Sequence, residues 1–361
     1  MCLKDNMEGL NFFDRFKVGF EGSNTTRSQL ESYYRNQKEE VNNVDIKIVF
    51  KEFDGEPDEI LGGPKTHYGR KNGKFIIKRN RGNLVIDEDW RELWCDDKLG
   101  TWVIRLIIES KIRKKLEGDY AIVHASAFRF KKESYVLPAW RHTGKSNTLI
   151  SAMKEGSDYI SDDRLFISAE GDIISFNLPF HILPYNLITF PELSPSKTHL
   201  VRSKLSLKIS SFTNDSENIL MKGINVFNSS LIKKSVYVDF EEDFPKSNFV
   251  SRSNLDHLVM LQTSADKEME KRILTKQQFV NKMSSINLFE WNSELEEIYS
   301  AYDNLFDENK VKEVEGLVKE DCSIFSRLYD KYQAELLDVP REENWENQVQ
   351  EEILDKVLKN R

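Results

Sequence analysis

The sequence predicts a mixed chain of the α/β (α+β) class, with a mixed sheet flanked by helices as its core. Three observations predict it. Residues 45–86 alternate apolar and polar around tight turns, residues 120–264 read as short apolar strands joined by loops and helices, and residues from Lys276 onward are largely helical and acidic in pattern. The expected division is 1–118 for a region with a small antiparallel sheet and a helix, 119–285 for the core, and 286–361 for a helical C-terminal region.

In the first region, Ser23-Asn24-Thr25-Thr26 precedes a helix-like stretch through Gln29 to Tyr34. Asp45 to Phe50 alternates at period two. Asn72-Gly73 is a hairpin turn before Lys74-Phe75-Ile76-Ile77-Lys78, and Arg81-Gly82-Asn83 precedes Leu84-Val85-Ile86. Trp102, Ile104, Leu106, Ile107, Ile108, Ile112 and Leu116 mark an amphipathic helix that Gly118 ends. Trp90, Trp94 and Trp102 read as packing residues. Towards the end, Ile298, Leu305, Leu317 and Leu328 read as helices packed on the domain. Pro340 breaks that run, leaving the last twenty residues loosely held.

With 361 residues, 39% of them hydrophobic and 31% charged, the chain can bury a real core and is not disordered. No stretch approaches the roughly 20 apolar residues that span a bilayer, and the N-terminus lacks a signal-peptide layout. Cys2, Cys95 and Cys322 form no CxxC pair, so reduced thiols in a cytoplasmic protein are expected rather than zinc or disulfides. Acidic Asp96-Asp97 beside Cys95 argue against a reactive thiol there. From Ala301 onward sixteen Asp/Glu face nine Lys/Arg, which accounts for nearly all of the net charge of −8. The remainder is close to neutral, and Lys111-Ile112-Arg113-Lys114-Lys115 reads as a solvated helix face. Neither a nucleic acid nor a membrane is an expected partner.

The segment that carries chemistry runs from Tyr120 to Asp163. Tyr135-Val136-Leu137-Pro138 is a short strand, followed by Ala139-Trp140-Arg141-His142-Thr143 and then Gly144-Lys145-Ser146-Asn147. That last group opens a helix with Leu149, Ile150 and Met153 on one face and Gly156 at its end. Unpaired N–H groups and the positive end of the helix dipole attract phosphate there. Lys145 can neutralise β- and γ-phosphate charge, and the Ser146 hydroxyl can ligate Mg²⁺. The pattern G-x-x-x-x-G-K-[ST] has Ala139 at its first glycine and bulky Trp140, Arg141 and His142 within it. The cradle comprises Ala139, His142, Thr143, Gly144, Lys145, Ser146 and Asn147. Seventeen residues after the lysine, the strand from Ser157 ends in Asp162-Asp163, the place where such proteins supply acid to a metal. His124 lies in a strand-like run twenty-one residues before Lys145.

Together the Val123-His124-Ala125 run, the phosphate loop entered through Leu137-Pro138 and the double aspartate resemble the HPr kinase/phosphorylase family. They also resemble its stand-alone relatives in the phosphoenolpyruvate carboxykinase-like P-loop superfamily. The resemblance is specific over about 120–185, and extends faintly to Asp256–Leu261 and Leu274-Thr275. It implies the fold of that superfamily and an ATP- or GTP-dependent kinase. Lys145 would bind phosphates, Ser146 and Asp163 (with Asp162 beside them) would hold Mg²⁺, Asp162 would act as base, and His124 would lie beside the transferred phosphoryl group. The implied acceptor is a hydroxyl on a protein, a peptide or a small molecule. Relatives are often homo-oligomers, while these residues leave the assembly state open. The sequence departs from the family at Ala139 and His142, shows no C-terminal kinase/phosphorylase signature, and offers only Arg164, Arg202 and Lys204 as a downstream cation. A nucleotide-binding module acting through a partner, and a nucleotide hydrolase, remain the other readings.

Overall fold

The computed structural model describes residues 7–53, 56–63, 66–79, 82–97, 99–213, 236–238, 240–265, 268–340 and 347–358. Cys2 and Arg81 lie outside them. The fold is mixed α/β with several sheets. The chain divides into two compact units of interleaved segments: Met1–Ile122, Ile167–Ala169 and Val280–Leu328 in one, and Val123–Phe166, Glu170–Phe279 and Tyr329–Arg361 in the other.

The first unit is built on a nine-stranded sheet. Its spatial order is Lys38–Val41, Met7–Phe12, Phe16–Gly22, Ile46–Phe50, Glu92–Cys95, Gly82–Ile86, Lys74–Arg79, Thr66–Lys71 and Glu59–Gly62. Ile46–Phe50 runs parallel to both of its neighbours, so the sheet is mixed and larger than the small antiparallel sheet expected. The first strands escape the sequence reading because Gly9 pairs with Gly19, and glycine carries no strand signal. The close approach demands it: a Cβ on Gly9 would come 2.1 Å from the Val18 carbonyl oxygen. At Asn72-Gly73 both residues have positive φ, +49° and +75°, and Lys71 pairs with Lys74, the geometry of a type I′ hairpin. Helix Thr25–Tyr33 starts where Asn24 accepts the Arg27 N–H at 2.9 Å. Cys95 is buried, and burial with Asp96 beside it pushes its thiol up to about 12.

Helix Thr101–Lys115 ends before Gly118 at φ +83°, as expected. Its basic run is not simply a solvated face. Lys114 and Lys115 are half exposed, but Arg113 is buried; it donates to Asp321 Oδ2 at 2.9 Å and Asn292 Oδ1 at 2.7 Å. Asn287 donates to the same Asp321 oxygen at 2.9 Å. A periodicity argument cannot see a cation neutralised by a carboxylate two hundred residues away.

The second unit carries a six-stranded sheet in the order Asp158–Ser161, Ala125–Phe130, Glu133–Pro138, His257–Ser264, Ala334–Pro340, Lys271–Ile273. Its central pairs, 133–138 with 257–264 and 257–264 with 334–340, are parallel, and the outer ones antiparallel. Helix Lys145–Lys154 packs Leu149, Ile150 and Met153 into the core against Leu137, Val259 and Leu337. Thr275 and Gln278 form a reciprocal capping box ahead of helix Lys276–Asn287.

The C-terminal stretch departs from its helical expectation. Ala334–Pro340 is an interior strand, and Pro340 is its last residue rather than a helix break. Its acidic residues hid it: Glu335 pairs with Lys271 at 2.8 Å and Asp338 with Arg272, leaving Leu336, Leu337 and Val339 fully buried. Among the last twenty, the described residues 347–358 are not loose: helix Asn347–Leu358 buries Ile353 and Val357 in the same core, and Gln350 donates to Thr148 Oγ1 on helix Lys145–Lys154 at 3.2 Å.

Removing one partner of a buried ion pair strands the other. Asp321→Ala is expected to lower the unfolding free energy by about 3–5 kcal/mol, read from the urea unfolding midpoint.

Candidate functional site

The loop expected to bind phosphate leaves the sheet at Pro138. Ala139 continues the strand by bridging to Leu261, is buried, and keeps negative φ, so its methyl group costs nothing where the motif has glycine. Thr143 Oγ1 donates to the Trp140 carbonyl at 2.8 Å and closes the turn. His142 takes the left-handed conformation at φ +60° and Gly144 follows at +92°. The second is free for glycine; the first is strained for histidine. Helix Lys145–Lys154 begins immediately, while Trp140, Arg141 and His142 stand exposed at the loop's tip.

Strand Asp158–Ser161 brings in the carboxylates. It pairs antiparallel with Ala125–Phe130, with Ala127 opposite Ser161, and this register carries Ser126 level with Asp162. Ser126 Oγ, fully buried, donates to Asp162 Oδ1 in a short hydrogen bond. Ser146 Oγ reaches both Asp162 oxygens, at 3.1 and 3.0 Å. The Asp162 N–H donates to the Tyr159 hydroxyl at 3.0 Å. Asp163, at φ +76°, turns the other way, and its Oδ1 lies 3.2 Å from Lys145 Nζ and 3.5 Å from His124 Nδ1. Thus Lys145, Ser146, Asp162, Asp163 and His124, widely separated in sequence, converge on one site.

The electrostatics separate the two acids. Burial pushes the Asp162 carboxyl up, aided by Asp163, against Lys145 and its two serine donors. Asp163 lies well below the usual carboxylate range: desolvation opposes its charge, but Lys145 and the cationic groups around it outweigh that. The Asp163 side chain is half exposed. Burial, then Lys145, pushes the His124 imidazole down to about 3, so it is neutral at ordinary pH. Arg164, itself buried, adds positive potential at both His124 and Asp163. Of the three candidate cations, Arg164 lies close enough to act on the site, while Arg202 and Lys204 are exposed on helix Lys197–Thr213.

One expected cradle residue is turned elsewhere. The Asn147 side chain accepts from Asn186 at 2.6 Å and donates to Thr189 at 3.4 Å, fastening helix Lys145–Lys154 to helix Asn186–Thr189. Three residues join the site that the sequence reading passed over: Ser126, Tyr159 and Tyr185. Ser126 was within reach of it, since a strand puts residues 124 and 126 on one face. Tyr185 carried no such signal. Its ring lies 5.7 Å from that of His142, and burial followed by Asp162 and Asp163 pushes its hydroxyl above the usual range.

Apart from the cations Lys145 and Arg164, the two histidines and the Asn147 amide turned away, these side chains offer oxygens, a set suited to a hard cation such as Mg²⁺. Among the described residues no three His, Cys, Asp or Glu side chains gather as a metal cage. Mg²⁺ commonly takes only one or two carboxylates from protein and completes its shell with phosphate and water. No family model matches the chain, and no curated protein matches it at a significant level. No helix among the described residues is long and apolar enough to cross a membrane.

Two outcomes follow from this geometry. His124 binds fewer protons folded than unfolded, so it erodes stability as pH falls below its ordinary value of 6.5 towards about 3. His124→Gln is expected to flatten the decline of Tm between pH 6.5 and 4. His142→Gly relieves the left-handed strain and should raise stability by about 1 kcal/mol, measured by thermal unfolding.

Proposed function

We propose that this chain is a Mg²⁺-dependent phosphotransferase that moves the γ-phosphoryl group of ATP or GTP to a hydroxyl of a protein, a peptide or a small molecule. The observation that carries this reading is the meeting of Lys145 and Ser146, at the start of a helix, with Asp162 and Asp163 at the end of a neighbouring strand. Phosphoryl transfer asks little covalent chemistry of a protein; it needs positioning and charge neutralisation. Helix N-terminal N–H groups and Lys145 supply the second, and the rigid sheet supplies the first. The mixed sheet flanked by helices agrees with the P-loop, phosphoenolpyruvate carboxykinase-like core suggested by the resemblance.

The hydrogen bonds favour an exchange of the roles expected for the two acids. Ser146 donates to both oxygens of Asp162, which makes Asp162 the acid on the metal side. Mg²⁺ held there by Ser146 and Asp162 would neutralise phosphate charge. Asp163 is half exposed and is tied to Lys145 in the unliganded site. Once phosphate engages Lys145, that tie loosens, and Asp163 is left to take the proton of the acceptor hydroxyl. His124, neutral, can donate or accept one hydrogen bond beside it without adding charge.

The test separates binding from transfer. Transfer of labelled γ-phosphate is screened against hydroxyl-bearing peptides and small alcohols. Lys145→Ala and Asp162→Asn should abolish it and weaken Mg²⁺-nucleotide binding, whereas Asp163→Asn should abolish transfer while nucleotide still binds. Transfer that survives in Lys145→Ala refutes the proposal. Nucleotide affinity without turnover, unchanged by Asp162→Asn, would make the chain a binding module. Phosphate release at full rate without acceptor would make it a hydrolase.

A further inference from the structure

We infer that Ser126 is a positioning residue for Asp162, and that His124-Ala125-Ser126 acts as a two-pronged support under the double aspartate. The inference rests on the phosphotransferase reading above and deepens it. The two prongs are close in sequence, His124 just before strand Ala125–Phe130 and Ser126 within it, and reach the two acids separately: His124 Nδ1 lies 3.5 Å from Asp163 Oδ1, and Ser126 Oγ donates to Asp162 Oδ1.

The need for the second prong follows from what else holds Asp162. The hydroxyls that donate to its carboxylate are those of Ser126 and Ser146, while Tyr159 accepts from its backbone N–H. Ser146 is also the hydroxyl expected to ligate the cation, so its geometry must adjust when the site fills. Ser126 has no such double duty. It is fully buried on a sheet strand, locked by antiparallel pairing with both neighbouring strands, and lies out of reach of solvent. It therefore holds one carboxylate oxygen fixed and leaves the other, Oδ2, bonded only to Ser146 among the hydroxyls named here. A carboxylate so held meets a cation in one orientation, without the rotational freedom that an unsupported aspartate would lose on binding.

Ser126→Ala removes one oxygen from a packed position and Ser126→Thr restores the hydroxyl. The probe is Mn²⁺, an oxygen-loving stand-in for Mg²⁺, titrated by electron paramagnetic resonance with saturating ADP. ADP affinity in EDTA and Tm are measured alongside. The expected result is a Mn²⁺ dissociation constant raised about tenfold in Ser126→Ala, with ADP affinity in EDTA and Tm unchanged, and recovery in Ser126→Thr. An unchanged Mn²⁺ constant in Ser126→Ala overturns the inference. So does an equal loss of metal-dependent and metal-free ADP binding, or a lowered Tm, which would assign Ser126 to packing alone. Wild-type protein that binds no nucleotide would sink the phosphotransferase reading itself, a result distinct from either.

Discussion

Two adjacent carboxylates at the end of a strand repel each other, and partial burial makes their charge dearer still. The second unit is organised around keeping them there. Asp163 is steadied by Lys145, its nearest cation, and by the potential of Arg164. Asp162 has no cation at hydrogen-bond distance among its described contacts and is held by hydroxyls from Ser126 and Ser146. Asp163 has a cation at hydrogen-bond distance, whereas Asp162 has two hydroxyl donors there and feels Lys145 at longer range. That asymmetry lets neighbours in sequence differ in their chemistry, as pairs of acids at reaction centres commonly do.

Backbone strain sits at the same place. His142 and Asp163 both adopt left-handed conformations that glycine would take more easily. Each costs of order 1 kcal/mol or more, and such residues persist where the surrounding structure fixes them. At Asp163 the turn points its carboxylate away from that of Asp162 and towards Lys145. At His142 it leaves the ring beside Tyr185. The loop thus has histidine at a position with a glycine-like conformation, while the alanine at 139 sits where no such demand exists. From sequence alone both departures looked alike; the dihedral angles distinguish them.

Much of the site was legible because its signals are local. The helix opening at Gly144-Lys145-Ser146, the strand that ends at Ser161 and the glycine that stops helix Lys145–Lys154 are each written in a few consecutive residues. What escaped was non-local or disguised. Asn147 looked like part of the cradle, but Asn186 claims its side chain from thirty-nine positions away. Strand Ala334–Pro340 carries charges that read as surface until Lys271 and Arg272 arrive beside them. The strands near the N-terminus were masked by glycines whose function is close backbone contact. Periodicity reports which residues prefer burial, and is silent about which partner makes an unfavourable residue tolerable.

The order of strands in the second sheet bears on how the chain comes into being. Strand His257–Ser264 lies between Glu133–Pro138 and Ala334–Pro340, so one of its edges waits for the last of these to be synthesised. At ribosomal speeds of about 5–20 residues per second, the loop before helix Lys145–Lys154 emerges many seconds before the strand and helix that complete its core. Through that interval an apolar, hydrogen-bond-hungry edge is open to any passing chain. The hazard of aggregation therefore belongs to birth rather than to the finished fold, and a holding chaperone would find its best purchase on the nascent protein.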